Sequence, residues 1–156
     1  FGANVGLNLI AVKDLIPGVA VTAIEINSSA ISKLKMIDDV KVIHGSILES
    51  NKIEMYDLAM VIGVLIHIAP KYLPLAYENI YRATRRYILI GEYYSRQPEE
   101  VLYRGYKNKL FKRDFAGEML DKYTDLRLVD YGFFYHKDES SKLDDITWFL
   151  MEKADI

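Results

Sequence analysis

The sequence predicts an α/β domain whose sheet is mostly parallel, with helices on both faces and an antiparallel hairpin at its end. Three observations lead there. Short β-branched segments alternate with helical patterns along most of the 156 residues, and parallel strands need such crossovers to return the chain. The last two strand-like segments follow one another with no helix between them, so one strand must reverse. A glycine-rich stretch, "FGANVG", opens directly into a helical pattern.

In chain order, "GLNLIAVKDLI" sets Leu7, Ile10 and Ala11 at helical spacing, and Pro17-Gly18 stops the helix. "VAVTAIEI" is short and rich in β-branched residues, as a buried strand should be. "NSSAISKLKMI" begins with capping residues and aligns Ala30, Ile31 and Leu34 on one helical face. "VKVIHG" and "DLAMVIGVL" read as strands. A longer helix is expected from Tyr72 to Arg86, aligning Leu73, Ala76, Tyr77, Ile80 and Thr84, with Pro74 tolerated in its first turn. "RYILIGEYY" is the next strand. A polar, basic stretch from Ser95 to Arg113 precedes a helix around Asp114 to Tyr123, and "LRLVDYGFFYH" and "DDITWFLMEK" form the closing pair. The charged "KDESSKLD" between them reads as a solvated connection.

Composition narrows the function. A net charge of −2 argues against general nucleic-acid binding, and no cysteine is available for a disulfide or a thiolate metal site. That cysteine usage fits a cytoplasmic protein, and no apolar run is long enough to cross a bilayer as a helix. His44, His67 and His136 are scattered, without ligand spacing, so no metal site is expected. There is neither a nucleophilic serine elbow nor a phosphate-loop lysine.

The glycine loop has two readings, a tight turn or bare main chain held against a ligand. Glu25 follows it by roughly 20 residues at a strand end, the spacing of a ribose-binding carboxylate. Otherwise it caps the next helix or lies exposed. Ser46 follows the "VKVIHG" strand, where a ligand contact and an ordinary turn are both open, and His44 on the same strand end reads as a partly buried histidine with its ring nitrogens satisfied. Gly63 ends the next strand, and His67 follows in a loop. There it serves either as a base for a substrate hydroxyl or as a structural residue bonded to a backbone carbonyl.

These motifs resemble the class I S-adenosylmethionine-dependent methyltransferases, from Phe1 through Lys153. "FGANVG" is similar to that family's first motif, with Asn4 where glycine is common; "AIEIN" to the second; "HGSIL" to the third; and "GVLIHIAP" to the run after its fourth strand. The resemblance implies a Rossmann-like methyltransferase sheet with S-adenosyl-L-methionine as cofactor. It also implies cofactor contacts at Gly2, Asn4, Gly6, Glu25, Ile26, Gly45, Ser46, Ile47 and Gly63. "RRYILIGEYYS", "YRGYKNKLFKRDFAGEML" and "LVDYGFFYHKD" further resemble methylases associated with pseudaminic acid biosynthesis.

The stretch from Ser95 to Arg113 holds six basic residues against two acidic ones. It reads either as a solvated loop or as a cationic lid over an anionic acceptor, such as a sugar acid or nucleotide-linked sugar. Tyr93, Tyr94, Arg104 and Arg113 are the substrate-binding candidates, and His67 is the candidate base. In the family pattern a strand precedes "FGAN", so a single methyltransferase domain truncated at its first, central strand is expected. A nicotinamide-dependent oxidoreductase and a non-catalytic scaffold are the alternatives.

Overall fold

The computed structural model describes residues 1–49, 54–140 and 144–154. The chain divides into two compact units, Phe1–Ile53 and Glu54–Ile156. Part of the "KDESSKLD" connection, residues 141–143, lies outside the described residues.

In the first unit, helix α1 (Leu7–Leu15) leads to strand β1 (Val21–Glu25), helix α2 (Ser28–Leu34) and strand β2 (Val40–His44). The strands β1 and β2 pair in parallel, from Val21 opposite Val40 to Glu25 opposite His44, with α2 as the crossover. Asn27 starts α2 because its side-chain oxygen accepts the backbone N–H groups of Ser29 and Ala30. As the helical spacing predicts, Ala30, Ile31 and Leu34 are buried.

The buried side of α1 differs from the expected one. Leu7 and Ile10 are 71% and 41% exposed, whereas Leu9 is buried. A nine-residue helix this apolar carries two candidate stripes, and periodicity does not choose between them. Gly6 chooses. Its φ is 90°, and a side chain there would run into Leu34 and Ile37, so the helix packs on the face that Gly6 shares with Leu9. Gly6→Ala is expected to destabilise the fold by about 2–4 kcal/mol, combining left-handed backbone strain with overpacking. Urea unfolding of the variant checks this.

In the second unit, β3 (Tyr56–Ile62) is followed by two short 3₁₀ turns, Leu65–His67 and Pro70–Tyr72, and by α3 (Leu73–Arg82). Then come β4 (Thr84–Glu92), β5 (Glu99–Tyr103), β6 (Tyr106–Lys112), α4 (Phe115–Lys122), β7 (Leu126–Phe134) and β8 (Ile146–Lys153). Among the described residues β3, β4, β8 and β7 form one sheet in that order. β3 and β4 are parallel, while β8 runs antiparallel to both β4 and β7, which is the reversed ending the sequence predicts. Val61, Leu65, Leu73, Ile80, Ile88, Ile90, Met119 and Met151 fill the core.

The expected helix from Tyr72 to Arg86 stops at Arg82, and Thr84 already belongs to β4. Contacts distant in sequence end it. Lys153 Nζ donates to the carbonyls of Tyr81 and Thr84 at 2.7 and 2.6 Å, and Thr84 Oγ1 donates to the Asp57 carbonyl at 3.0 Å. The basic stretch is a defined hairpin rather than an irregular loop. β5 and β6 are antiparallel with Tyr103 opposite Tyr106, and Arg104 and Gly105 form the turn with φ of 50° and 82°. Positive φ at both central residues is the geometry a two-residue hairpin turn demands.

Candidate functional site

At the carboxyl end of β1 the amino-terminal loop folds back on the strand. Gly2 N–H donates to the Ile24 carbonyl at 2.8 Å, and Gly6 N–H to the Ala3 carbonyl at 2.9 Å. Gly2, Asn4 and Gly6 all have positive φ, of 64°, 49° and 90°. Glu25 holds this loop. Only 7% exposed, its carboxylate accepts Asn4 N–H on Oε2 at 2.7 Å, and Ile26 and Asn27 N–H on Oε1 at 2.8 Å each. Three charge-assisted bonds from main chain compensate for burying the charge.

The other sequence candidates of this unit lie nearby. Gly45 N–H donates to the Glu25 carbonyl at 3.0 Å, and His44 Nε2 lies 3.2 Å from the Ile26 carbonyl. Ser46 Oγ accepts Leu48 N–H at 3.1 Å, a local turn bond. Ile26 is exposed and Ile47 is buried.

In the second unit, Gly63 ends β3 with φ of 65° and open space where a side chain would stand. The next three backbone N–H groups meet one carboxylate. Glu92 Oε1 accepts Val64 and Leu65 N–H at 2.9 Å each, and Oε2 accepts Ile66 N–H at 3.4 Å. Glu92 is 2% exposed, and desolvation, outweighing those bonds, pushes its carboxyl up to about 7. His67 follows, its Nδ1 lying 2.8 Å from the Lys109 carbonyl on β6. A carbonyl only accepts, so Nδ1 carries the hydrogen and the neutral ring keeps its lone pair on Nε2. The Tyr103 ring stands 5.3 Å away.

The four substrate candidates do not form one cluster of free groups. Tyr93 donates its hydroxyl to Asp144 at 2.8 Å, and burial with that bond pushes the phenol up to about 12. Tyr94 is part-exposed, bridges to Arg113 through the backbone and lies 6.0 Å from the Phe149 ring. Arg113 is already engaged, with Nε 2.7 Å from Glu118 Oε1. Glu118 Oε2 in turn accepts the Tyr77 hydroxyl at 2.7 Å. Arg104 sits at the hairpin turn over the Tyr103 ring, 5.2 Å from its centroid. His136 Nδ1 pairs with Asp145 at 2.8 Å. Among the described residues no group of three His, Asp or Glu could hold a metal ion, and no helix is long and apolar enough to cross a membrane.

No protein-family model and no curated protein sequence matches the chain. Solved structures do. The 1,6-didemethyltoxoflavin-N1-methyltransferase of Burkholderia thailandensis, crystallised with S-adenosylhomocysteine, superposes with a TM-score of 0.76 at 17% identity, over 99% of this chain and 69% of its own. The O-methyltransferase of a Brevibacillus brevis trans-AT polyketide synthase multienzyme, also with S-adenosylhomocysteine, gives 0.74 at 14% identity, over 99% and 65%. Magnesium protoporphyrin IX methyltransferase from Synechocystis, with bound S-adenosylmethionine, gives 0.72 at 11%, over 98% and 67%. The chain thus spans about two thirds of the length of each. It has an α/β methyltransferase-like fold.

In the first unit the sequence candidates gather around Glu25 at the end of β1. Glu25 Oε1 takes two of the three main-chain bonds and Oε2 one. At Gly6 an added side chain would run into Leu34 and Ile37. Two carboxylates that organise the surroundings escape the motif reading, Glu92 and Glu118. For Glu92 the signal was present. It continues by twos the buried stripe of Ile88 and Ile90, a position where an unpartnered carboxylate would be too costly.

Proposed function

We propose that the chain is an S-adenosylmethionine-dependent methyltransferase domain acting on a small anionic acceptor, such as a sugar acid or nucleotide-linked sugar. The observation that carries the cofactor assignment is Glu25. A buried carboxylate at the end of β1 clamps a loop of positive-φ residues, and it would also accept a ribose hydroxyl. Gly2, Asn4 and Gly45 would present main chain to the nucleoside, with Ile26, Ser46 and Ile47 beside them. Gly6 would hold the loop's shape. When bound, S-adenosylmethionine would supply an electrophilic methyl group on a sulfonium for transfer to the acceptor.

In the second unit, Gly63 is the further cofactor candidate, with open space where a side chain would stand. His67 Nε2, left unprotonated by the Lys109 bond, would take the acceptor hydroxyl's proton. The turn-side cations of the hairpin, Arg104, Lys107 and Lys109, support the anionic acceptor, and Tyr93 and Tyr94 would add aromatic surface. The narrower likeness to methylases associated with pseudaminic acid biosynthesis fits such an acceptor. Among the described residues β1 pairs only with β2.

Calorimetric titration with S-adenosylhomocysteine and with NAD tests the proposal. Micromolar binding of the former and none of the latter is the expected result. Binding of NAD alone would establish the oxidoreductase reading, and binding of neither would favour a scaffold.

A further inference from the structure

We infer that Glu92 is a positioning residue for the proposed reaction: by gripping the main chain of Val64, Leu65 and Ile66 it sets where the His67 imidazole stands. The inference rests on the reading that His67 takes the acceptor's proton.

The geometry is specific. Three consecutive N–H groups converge on one carboxylate across 26 to 28 residues of sequence. The turn they belong to closes on His67, whose own N–H donates to the Val64 carbonyl at 3.0 Å. The imidazole is therefore fixed at two points. Its backbone is held through the Glu92 turn, and its ring is tied to the hairpin by the Lys109 carbonyl.

Nothing else in the surroundings calls for a charge at position 92. Ile90, Tyr94, Phe115, Thr147 and Phe149 line the space beside it together with Arg113, whose Nε is committed to Glu118. Among the described residues no cation pairs with Glu92. An apolar side chain would extend the Ile88–Ile90 stripe at no desolvation cost, but it would leave three turn donors without an acceptor. The carboxylate therefore serves the turn, and through the turn the histidine.

The test is long-range proton–nitrogen NMR of His67 in the full chain near pH 8, with the signal assigned through His67→Gln. In the wild type the ring should be the Nδ1–H tautomer. Glu92→Gln keeps an oxygen for Val64 and Leu65 and should retain that tautomer. Glu92→Leu, with unchanged far-ultraviolet circular dichroism, should give a mixture in which Nε2–H predominates. Amide exchange at Val64, Leu65 and Ile66 should rise at least tenfold in the same variant. A folded leucine variant that keeps the Nδ1–H tautomer overturns the inference. If leucine prevents folding, Glu92→Asp decides, because it withdraws the carboxylate by one methylene. Loss of the tautomer there supports the inference, and retention overturns it. Titration of the wild type with S-adenosylhomocysteine separates the two levels. Absent binding sinks the methyltransferase reading, whereas intact binding with an unmoved tautomer sinks the role of Glu92 alone.

Discussion

Glu25→Ala is expected to weaken S-adenosylhomocysteine binding by about 1.5–3 kcal/mol, or roughly 10- to 150-fold in dissociation constant. Hydrogen bonds to a charged group carry that range, and in the proposal Glu25 supplies one directly and more indirectly. Its three backbone partners, Asn4, Ile26 and Asn27, give the loop its shape. Alanine therefore removes an acceptor for the ligand and frees the loop together. Glu25→Gln divides the two effects. Its amide oxygen can still take Ile26 and Asn27, while an amide nitrogen would face Asn4 N–H, so the loop opens mainly at Asn4. Calorimetry with each variant, beside thermal unfolding without ligand, separates lost contacts from lost shape. An unchanged dissociation constant in the alanine variant would remove Glu25 from the site.

The second large effect concerns Glu92 and pH. In the folded chain its carboxyl holds a proton up to about pH 7, against an ordinary value of 4.5. Between those values the folded state binds more protons than the unfolded state, so stability falls as pH rises through the window. At about 1.36 kcal/mol per unit, the loss approaches about 3 kcal/mol by pH 8. Glu92→Gln has no proton to lose. Urea unfolding at pH 5 and pH 8 should show a wild type that weakens and a glutamine variant that weakens less by about that amount. Asp145 and Glu152 are held below their ordinary values by hydrogen bonds from His136 and from Arg127, so they titrate beneath this window. Equal slopes in the two proteins would show that Glu92 is ionised throughout.

Legibility from sequence followed the distance over which each feature is determined. The stripe of α2, the buried face of α3 and the closing β7–β8 pair depend on local spacing, and they read directly. Glu25 stood out because spacing alone placed it at a strand end. The end of α3 did not read, because Lys153 caps it from the far end of the chain and no glycine or proline marks the stop. The hairpin of β5 and β6 was visible only as charge, although "YRGY" carries its turn. The face of α1 needed the packing of Gly6 against Leu34 and Ile37. Glu92 was readable as buried, but its partners lie on another segment, so only the fold reveals why it is acidic.

Under the proposed function, the shared carboxylate of Glu118 has a consequence for selectivity. An incoming anion that approaches Arg113 must compete with a resident counterion, so Coulomb attraction at that point discriminates weakly among acceptors. Discrimination by charge then falls to the turn end of the hairpin, where Arg104 occupies the two-residue corner. Neutralising Glu118 would unmask a second electropositive centre for the proposed anionic acceptor, at the expense of the Tyr77 hydroxyl's acceptor.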